Sequence, residues 1–282
     1  MNAQAAAAGL SLLAATTWGG SDFVGGCGAK RAPSILIVGC GHFSSFIILL
    51  AYCWMSRLPL ATAHDFGFAA AGGFIGALGL MIFYRALAMG AMGLTAAFTG
   101  LLTALLPVLY AMVCQGMPPA VTLAGLGLGL VAIWLITHTP TGAGLKTPPA
   151  ALLLGALAGC CFGSQLILFK LAAASGLVWT MTAGRCAGSV AMLLAILLRP
   201  PARPWKGFWG PGLASGFLDT TGNFLYLSAA GLGRMDVAAV ISSLYPAGTI
   251  VLAGVVLKEW PSRRQLVGMA LALGAVLLLS GS

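Results

Sequence analysis

Ten long apolar runs, separated by short polar breaks, constrain the fold of this chain more than any other feature of its sequence. A run of about 20 apolar residues is long enough to cross the hydrocarbon core of a bilayer as a helix. Because lipid offers no hydrogen-bond partners, the backbone of each run has to satisfy its own polar groups, which favours helices over strands. Charges, prolines and glycine clusters break the chain between the runs, and we expect spans near residues 5–26, 33–55, 65–88, 94–114, 119–138, 150–172, 176–198, 210–230, 236–257 and 264–280.

Charged residues are too scarce for a soluble surface. They make up 7% of the chain, against about 25% in an ordinary soluble domain. The net charge of +9 would suggest nucleic acid in a soluble protein. Here the basic residues lie at the ends of the apolar runs, so they indicate orientation in a bilayer instead. The sequence therefore predicts an all-α polytopic membrane protein with ten transmembrane helices, partnered by lipid and not by nucleic acid.

The two halves of the chain resemble each other at an offset of 143 residues. Gly20-Ser21 matches Gly163-Ser164 and Gly41 matches Gly184, while Tyr84 matches Tyr226 at an offset of 142. We therefore predict two five-helix repeats, residues 1–141 and 142–282. Five crossings are an odd number, so the second repeat is inserted upside down relative to the first. Inverted repeats around a central cavity are the plan of many secondary transporters.

Lysine and arginine are distributed unevenly over the connections between the runs. Odd-numbered connections hold ten of them and even-numbered connections hold three. The positive-inside rule then places the odd connections in the cytoplasm and both termini outside. The N-terminus has neither a basic region nor a convincing cleavage site, so we expect the first run to be a permanent span.

Away from the ends of the runs, the ionisable residues that stand out are Asp22, His42, Arg185 and Asp219. Such residues are costly in a bilayer and are functional candidates by default. His42 and Arg185 are equivalent positions, and Asp22 is equivalent to Gln165. These groups either line a wet cavity and contact a charged or zwitterionic solute, or tie helices together through a pair between Arg185 and Asp22 or Asp219. Asp219 has a third interpretation, as a solvated residue near the end of its span.

Hydroxyl, amide and aromatic side chains recur on single helical faces of several runs. They either form hydrogen bonds with an organic solute or mediate contacts between helices. The candidate substrate-binding residues are Trp18, Ser21, Asp22, His42, Tyr84, Thr103, Gln165, Arg185, Asn223, Tyr226, Ser242 and Tyr245. Pro107 and Pro246 each remove a backbone hydrogen bond inside a run, and we predict a hinge at these two sites, with static curvature as the alternative.

Catalytic and cofactor motifs are missing. The chain has no phosphate-binding G-x-x-x-x-G-K-[ST] loop and no G-x-S-x-G or H-E-x-x-H sequence. Its seven cysteines show no metal-ligand spacing. We therefore expect a protein that is not an enzyme, binds no cofactor or metal, and is compatible with a monomer. Asp22 is the best candidate for a proton-carrying carboxylate, and movement of solute down its own gradient is equally allowed.

Several short motifs resemble those of the drug/metabolite transporter superfamily, in its ten-span branch of two EamA-type repeats. The resemblance covers the whole chain and lies in residues 18–23 (WGGSDF), 84–88 (YRALA), Pro107, residues 244–246 (LYP), Lys258-Glu259 and Gly268. The first repeat departs from the pattern, because it has Gln115-Gly116 where such repeats usually carry Glu.

Within that superfamily the chain is most similar to the YddG-type aromatic amino acid exporters. The resemblance implies export of aromatic and other neutral amino acids by alternating access, in a bacterial inner membrane. Multidrug, sugar or nucleotide-sugar export is the alternative that the same motifs imply. One Arg and one His inside the runs are too few to neutralise a phosphate in a low dielectric, which argues against phosphorylated solutes.

Overall fold

The computed structural model describes residues 3–89, 92–137, 148–201, 206–257 and 262–281, and this part of the chain is helical almost throughout, with no strand. Each predicted run except the ninth is a single helix whose ends lie within a few residues of the expected ones. The helices are α1 (Ala3–Ala29), α2 (Ser34–Met55), α3 (Ala63–Met89), α4 (Met92–Cys114), α5 (Ala120–Thr137), α6 (Pro149–Ala172), α7 (Leu177–Leu198), α8 (Trp209–Leu232), α9 (Met235–Ser242), α10 (Tyr245–Leu257) and α11 (Arg263–Gly281). A 3₁₀ turn, Ala173–Ser175, follows α6.

The ninth run forms two helices rather than one. A turn at Ser243 and Leu244 separates α9 from α10. Pro246 is the second residue of α10, where its missing N–H has no helical partner to lose. Pro107 instead lies inside the continuous helix α4. The two proline positions that match in sequence therefore have different local structures.

The outer surface of the helices is apolar. Five segments are long and apolar enough to cross a membrane by length and composition: Ser34–Met55, Ala63–Met89, Pro149–Ser175, Leu177–Leu198 and Met235–Val256. Large apolar side chains such as Val113, Leu198 and Leu277 are exposed on the outside of the bundle. An apolar surface of this kind is suited to lipid and not to water, so the chain is a polytopic membrane protein.

Packing between the helices follows an internal two-fold relation. Helix α1 packs against α8 and the α9–α10 pair, and α6 packs against α3 and α4. Exchanging the two halves of the chain converts the first set of contacts into the second. Helices α2 and α7 pack against each other, as do α5 and α11, and both pairs map onto themselves. The fold is thus two inverted five-helix repeats, and the predicted boundary at residues 141 and 142 lies outside the described residues.

Two glycine crossings hold the centre of the bundle together. A Cβ on Gly73 of α3 would run into the backbone of Gly184 on α7, and a Cβ on Gly216 of α8 would run into the backbone of Gly41 on α2. Gly73 and Gly216 are separated by the same 143 residues as Gly41 and Gly184. Small residues let membrane helices approach closely, so equivalent crossings fix equivalent helix pairs in both halves.

Candidate functional site

A small cavity lies between six helices, three from each half of the chain. Helices α1, α3 and α4 contribute from the first half, and their counterparts α6, α8 and α10 contribute from the second. The cavity encloses about 30 Å³, which is room for about two water molecules. Its lining residues are Trp18, Asp22, Leu80, Thr103, Phe162, Gln165, Leu166, Asp219, Asn223 and Tyr245.

Close approach of α1 to α10 brings Trp18 and Asp22 to the cavity. A Cβ on Gly19 would lie 2.7 Å from the carbonyl oxygen of Tyr245, so only glycine allows this contact. Asp22 is 5% exposed. Its carboxyl group makes no hydrogen bond or ion pair within the part of the chain that the structure describes. The cavity therefore contains an acidic side chain without a partner.

Arg185 forms an ion pair with Asp219 behind the cavity wall. Nη2 of Arg185 lies 2.6 Å from Oδ2 of Asp219. Asp219 lines the cavity, whereas Arg185 does not and is 1% exposed. Asp219 therefore both lines the cavity and pairs with Arg185, and it lies in the middle of α8 and not near a span end. The guanidinium is thus already engaged by a carboxylate.

His42 is held as a neutral imidazole. Its Nδ1 lies 3.1 Å from the carbonyl oxygen of Val38, and its Nε2 lies 3.2 Å from Nη1 of Arg185. A carbonyl only accepts and a guanidinium only donates, so Nδ1 carries the hydrogen and Nε2 accepts. His42 and Arg185 are equivalent positions in the two halves, so their contact lies on the internal two-fold axis.

Six of the twelve predicted binding residues line the cavity: Trp18, Asp22, Thr103, Gln165, Asn223 and Tyr245. The other six are buried but do not line it: Ser21, His42, Tyr84, Arg185, Tyr226 and Ser242.

Ser21 and Tyr84 tie α1, α3 and α8 together. The Tyr84 hydroxyl lies 3.0 Å from Oγ of Ser21, which donates to the carbonyl oxygen of Ser215 at 3.0 Å. Ser242 of α9 donates to the carbonyl oxygen of Ser11 in α1 at 3.3 Å. These hydroxyls mediate contacts between helices, the alternative interpretation of the polar stripes.

Aromatic rings pack together at one wall of the cavity. The ring of Tyr226 lies 6.0 Å from that of Trp18, and the ring of Tyr245 lies 6.3 Å from Trp18 in an edge-on arrangement. Tyr226 is completely buried. It therefore supports the Trp18 ring from behind, while Trp18 and Tyr245 themselves reach the cavity.

Four lining residues are absent from the predicted set: Leu80, Phe162, Leu166 and Asp219. Asp219 shares a helical face with Asn223, one turn away, and that spacing was the available signal. Phe162 lies three residues before Gln165 and so shares its face. Nothing in a chain of apolar runs distinguishes Leu80 and Leu166 from lipid-facing leucines.

A larger groove of about 350 Å³ opens between α2 and α8. Its lining contains no ionisable side chain. The hydroxyl of Thr220 donates to Oγ of Ser45 at 2.9 Å and also contacts the carbonyl oxygen of Gly216. Because these hydroxyls are already bonded, the groove presents mainly apolar surface, and the chemistry of the molecule is concentrated in the smaller cavity.

The fold and this shared cavity define a helical membrane protein of two inverted repeats. The sequence model of the EamA-like transporter family matches residues 149–281. This segment, which makes up nearly all of the second predicted repeat, is therefore an EamA-type domain of the drug/metabolite transporter superfamily. The motif residues Lys258 and Glu259 fall within the match but outside the described residues.

Other comparisons add the fold alone. No curated protein matches the chain. A solved structure titled only "Crystal structure of protein" aligns over 96% of this chain and 95% of its own, with a TM-score of 0.74 and 19% sequence identity. At that identity the likeness extends to the arrangement of helices across both halves and not to a substrate.

Proposed function

We propose that this chain is a secondary transporter that exports aromatic and other neutral amino acids by alternating access. The observation that carries the proposal is a cavity walled by equivalent helices from two inverted repeats, with aromatic rings and an unpaired carboxylate inside it. A site between such repeats is where substrates bind in transporters of this plan. The EamA-type second half supports membrane transport as the general activity.

The lining suits an aromatic solute with an amino group. Trp18, Phe162 and Tyr245 offer ring surfaces against which an aromatic side chain can pack. Asp22 offers a carboxylate to an ammonium group, and an ammonium over a ring face gains further attraction. Gln165 and Thr103 add neutral hydrogen-bonding groups from the other side of the cavity.

The cavity of about 30 Å³ is far smaller than an amino acid, since sites for small organic ligands measure about 300–1,000 Å³. The helices around it therefore have to separate before a solute enters. The turn between α9 and α10 is a point where the chain can bend without breaking helical hydrogen bonds. We propose this turn, next to Pro246, as one hinge of the movement, and Pro107 in α4 as its counterpart.

We also propose a bacterial inner membrane as the location, with the odd-numbered connections in the cytoplasm and both termini outside. The excess of Lys and Arg in the odd-numbered connections supports this orientation. Export then corresponds to loading from the side of the odd-numbered connections.

An exchange assay in liposomes tests the proposed activity. Purified protein should exchange labelled phenylalanine or tryptophan across the bilayer, and Trp18→Ala should slow exchange by up to about tenfold, because an aromatic pair contributes roughly 0.5–1.5 kcal/mol. Trp209→Ala is the matched control, because Trp209 is 63% exposed and lies outside the cavity.

Lack of exchange with every amino acid would refute the proposal, as would equal losses in the two tryptophan variants. Repeating the assay with an imposed pH gradient separates proton-coupled from facilitated movement.

A further inference from the structure

The charges around the cavity do not balance. Asp22 and Asp219 supply two carboxylates, Arg185 supplies one guanidinium, and the imidazole of His42 is neutral by its hydrogen bonds. With both acids ionised, the cluster is one positive charge short. An uncompensated carboxylate inside a membrane protein is costly, so Asp22 either binds a proton or takes a cation as its companion.

The excess negative charge lies on one side of the cavity. The counterparts of Asp22 and Asp219 in the opposite halves are Gln165 and Gly76, both uncharged. A Cβ on Gly76 would collide with the amide of Gln165, so these two residues are also in contact. The wall made by α1 and α8 is therefore acidic, whereas the equivalent wall made by α6 and α3 is neutral.

Free acceptors accompany the unpaired acid. Nδ2 of Asn223 donates to the backbone carbonyl of Asp219 at 2.8 Å and lies 3.3 Å from its Oδ1. Both partners are acceptors, so the amide nitrogen is fixed there, and Oδ1 of Asn223 is buried without a partner among the residues that the structure describes. Thr103 donates its hydrogen to the carbonyl of Thr99 at 2.9 Å, which leaves its oxygen able to accept.

Among the described lining residues a solute carboxylate finds no cation, only neutral donors such as those of Tyr245 and Gln165. Arg185 is the cation of the cluster, but it does not line the cavity and Asp219 already neutralises it. A zwitterionic amino acid would leave the cluster with its net charge of minus one. A monovalent amine would bring that charge to zero.

We propose that the cavity selects the ammonium group of its solute and disfavours the carboxylate, so that its preferred ligands are monocationic aromatic amines and amino acid derivatives that lack a free carboxylate. The ammonium is held by Asp22 and by Oδ1 of Asn223, with the Trp18 and Tyr245 rings beside it. The inference rests on the proposed function and specifies the substrate class of the same site.

Three probes with one phenyl ring and different charges test this selection. Phenethylamine carries plus one, phenylalanine is a zwitterion, and 3-phenylpropionate carries minus one. Calorimetric titration of the full-length purified protein should show that phenethylamine binds about tenfold or more tightly than phenylalanine. Both ligands make the charge-assisted contact between their ammonium group and Asp22, but only phenylalanine also brings a carboxylate that no cation neutralises. The anion should not bind.

Asp22→Asn should abolish the preference for the amine, whereas Asp22→Glu, which keeps the carboxylate, should retain part of it. Asp65→Asn is the matched control, because Asp65 is also buried but lies at the start of α3, bonded to Ser175 and His64 and outside the cavity. Asp22 has no bond to lose, so Asp22→Asn should keep its melting temperature and its elution volume on gel filtration.

Equal affinity for phenethylamine and phenylalanine, or an unchanged ratio in Asp22→Asn, would overturn the inference. The liposome assay separates this result from failure of the proposed function. If phenylalanine exchanges and the amine does not, only the selection of the ammonium is wrong. If neither probe binds or exchanges, both proposals fail.

Discussion

At the scale of single residues, the two halves have diverged where they face the cavity. Asp22 stands opposite the amide of its counterpart Gln165, and Asp219 has glycine as its counterpart at Gly76. The glycines of the helix crossings kept their identity in both halves. Packing constrains those glycines by backbone contact, whereas the cavity residues are free to acquire the charge that a solute requires.

Removing one partner of the Arg185–Asp219 ion pair should destabilise the protein more than removing both partners. Arg185→Met leaves two carboxylates without a guanidinium, and we expect it to destabilise the protein by about 3–5 kcal/mol, as broken buried pairs do. The double variant Arg185→Met with Asp219→Leu removes one of those charges and should be less destabilised. Thermal unfolding in detergent gives the comparison.

Arg85→Met supplies the control for loss of an arginine, because Arg85 is exposed at the end of α3. It should unfold close to the wild-type temperature. If the double variant were as unstable as Arg185→Met, the charge of Asp219 would not be the cause.

At the scale of helices, the crossings at glycine determine how closely the halves approach. Gly73→Ala places a Cβ against the backbone of Gly184, which cannot move aside as a side chain would. We expect a loss of about 1–3 kcal/mol or more from overpacking. The readout is the unfolding temperature in detergent.

Gly67→Ala on the same helix is the paired variant, because nothing lies within 4 Å of a Cβ at that position. It should be neutral or slightly stabilising, since alanine has the higher helix propensity. Equal losses at Gly67 and Gly73 would mean that the substitution acts through helix propensity and not through the crossing.

The ninth span shows how equivalent sequence signals diverge in structure. Pro107 and Pro246 occupy matched places, yet α4 continues through its proline while the second half breaks into α9 and α10 at Ser243 and Leu244. The break is next to Tyr245, which lines the cavity. A movement of α10 relative to α9 would therefore shift a wall of the site.

At the scale of the whole molecule, the inverted repeat makes a prediction about sidedness. Five crossings separate the N-terminus from the connection between the halves, so a tag before residue 1 and a tag near residue 144 should lie on opposite faces of the membrane. Labelling with impermeant reagents in intact cells and in inverted vesicles measures this. Finding both tags on the same face would contradict the antiparallel arrangement.

Six of the ten lining residues were predicted from the sequence and four were not, for a physical reason. Asp22 and Gln165 stand out because polar residues are rare in apolar runs, and both line the cavity. Tyr84 and Ser242 stand out equally, yet they face neighbouring helices instead. Phe162 reaches the cavity although nothing in the sequence separates it from the other aromatic residues of the apolar runs.

The sequence by itself determined the helices, the number of runs and the inverted relation between the halves. A bilayer imposes these locally, because each run has to be apolar, about 20 residues long and internally hydrogen-bonded. Only the tertiary structure decided which polar groups are paired. Arg185 of α7 pairs with Asp219 of α8 and not with Asp22 of α1, because the packing of these helices sets which side chains come within reach. The unpaired Asp22 then gives the cavity its acidic character.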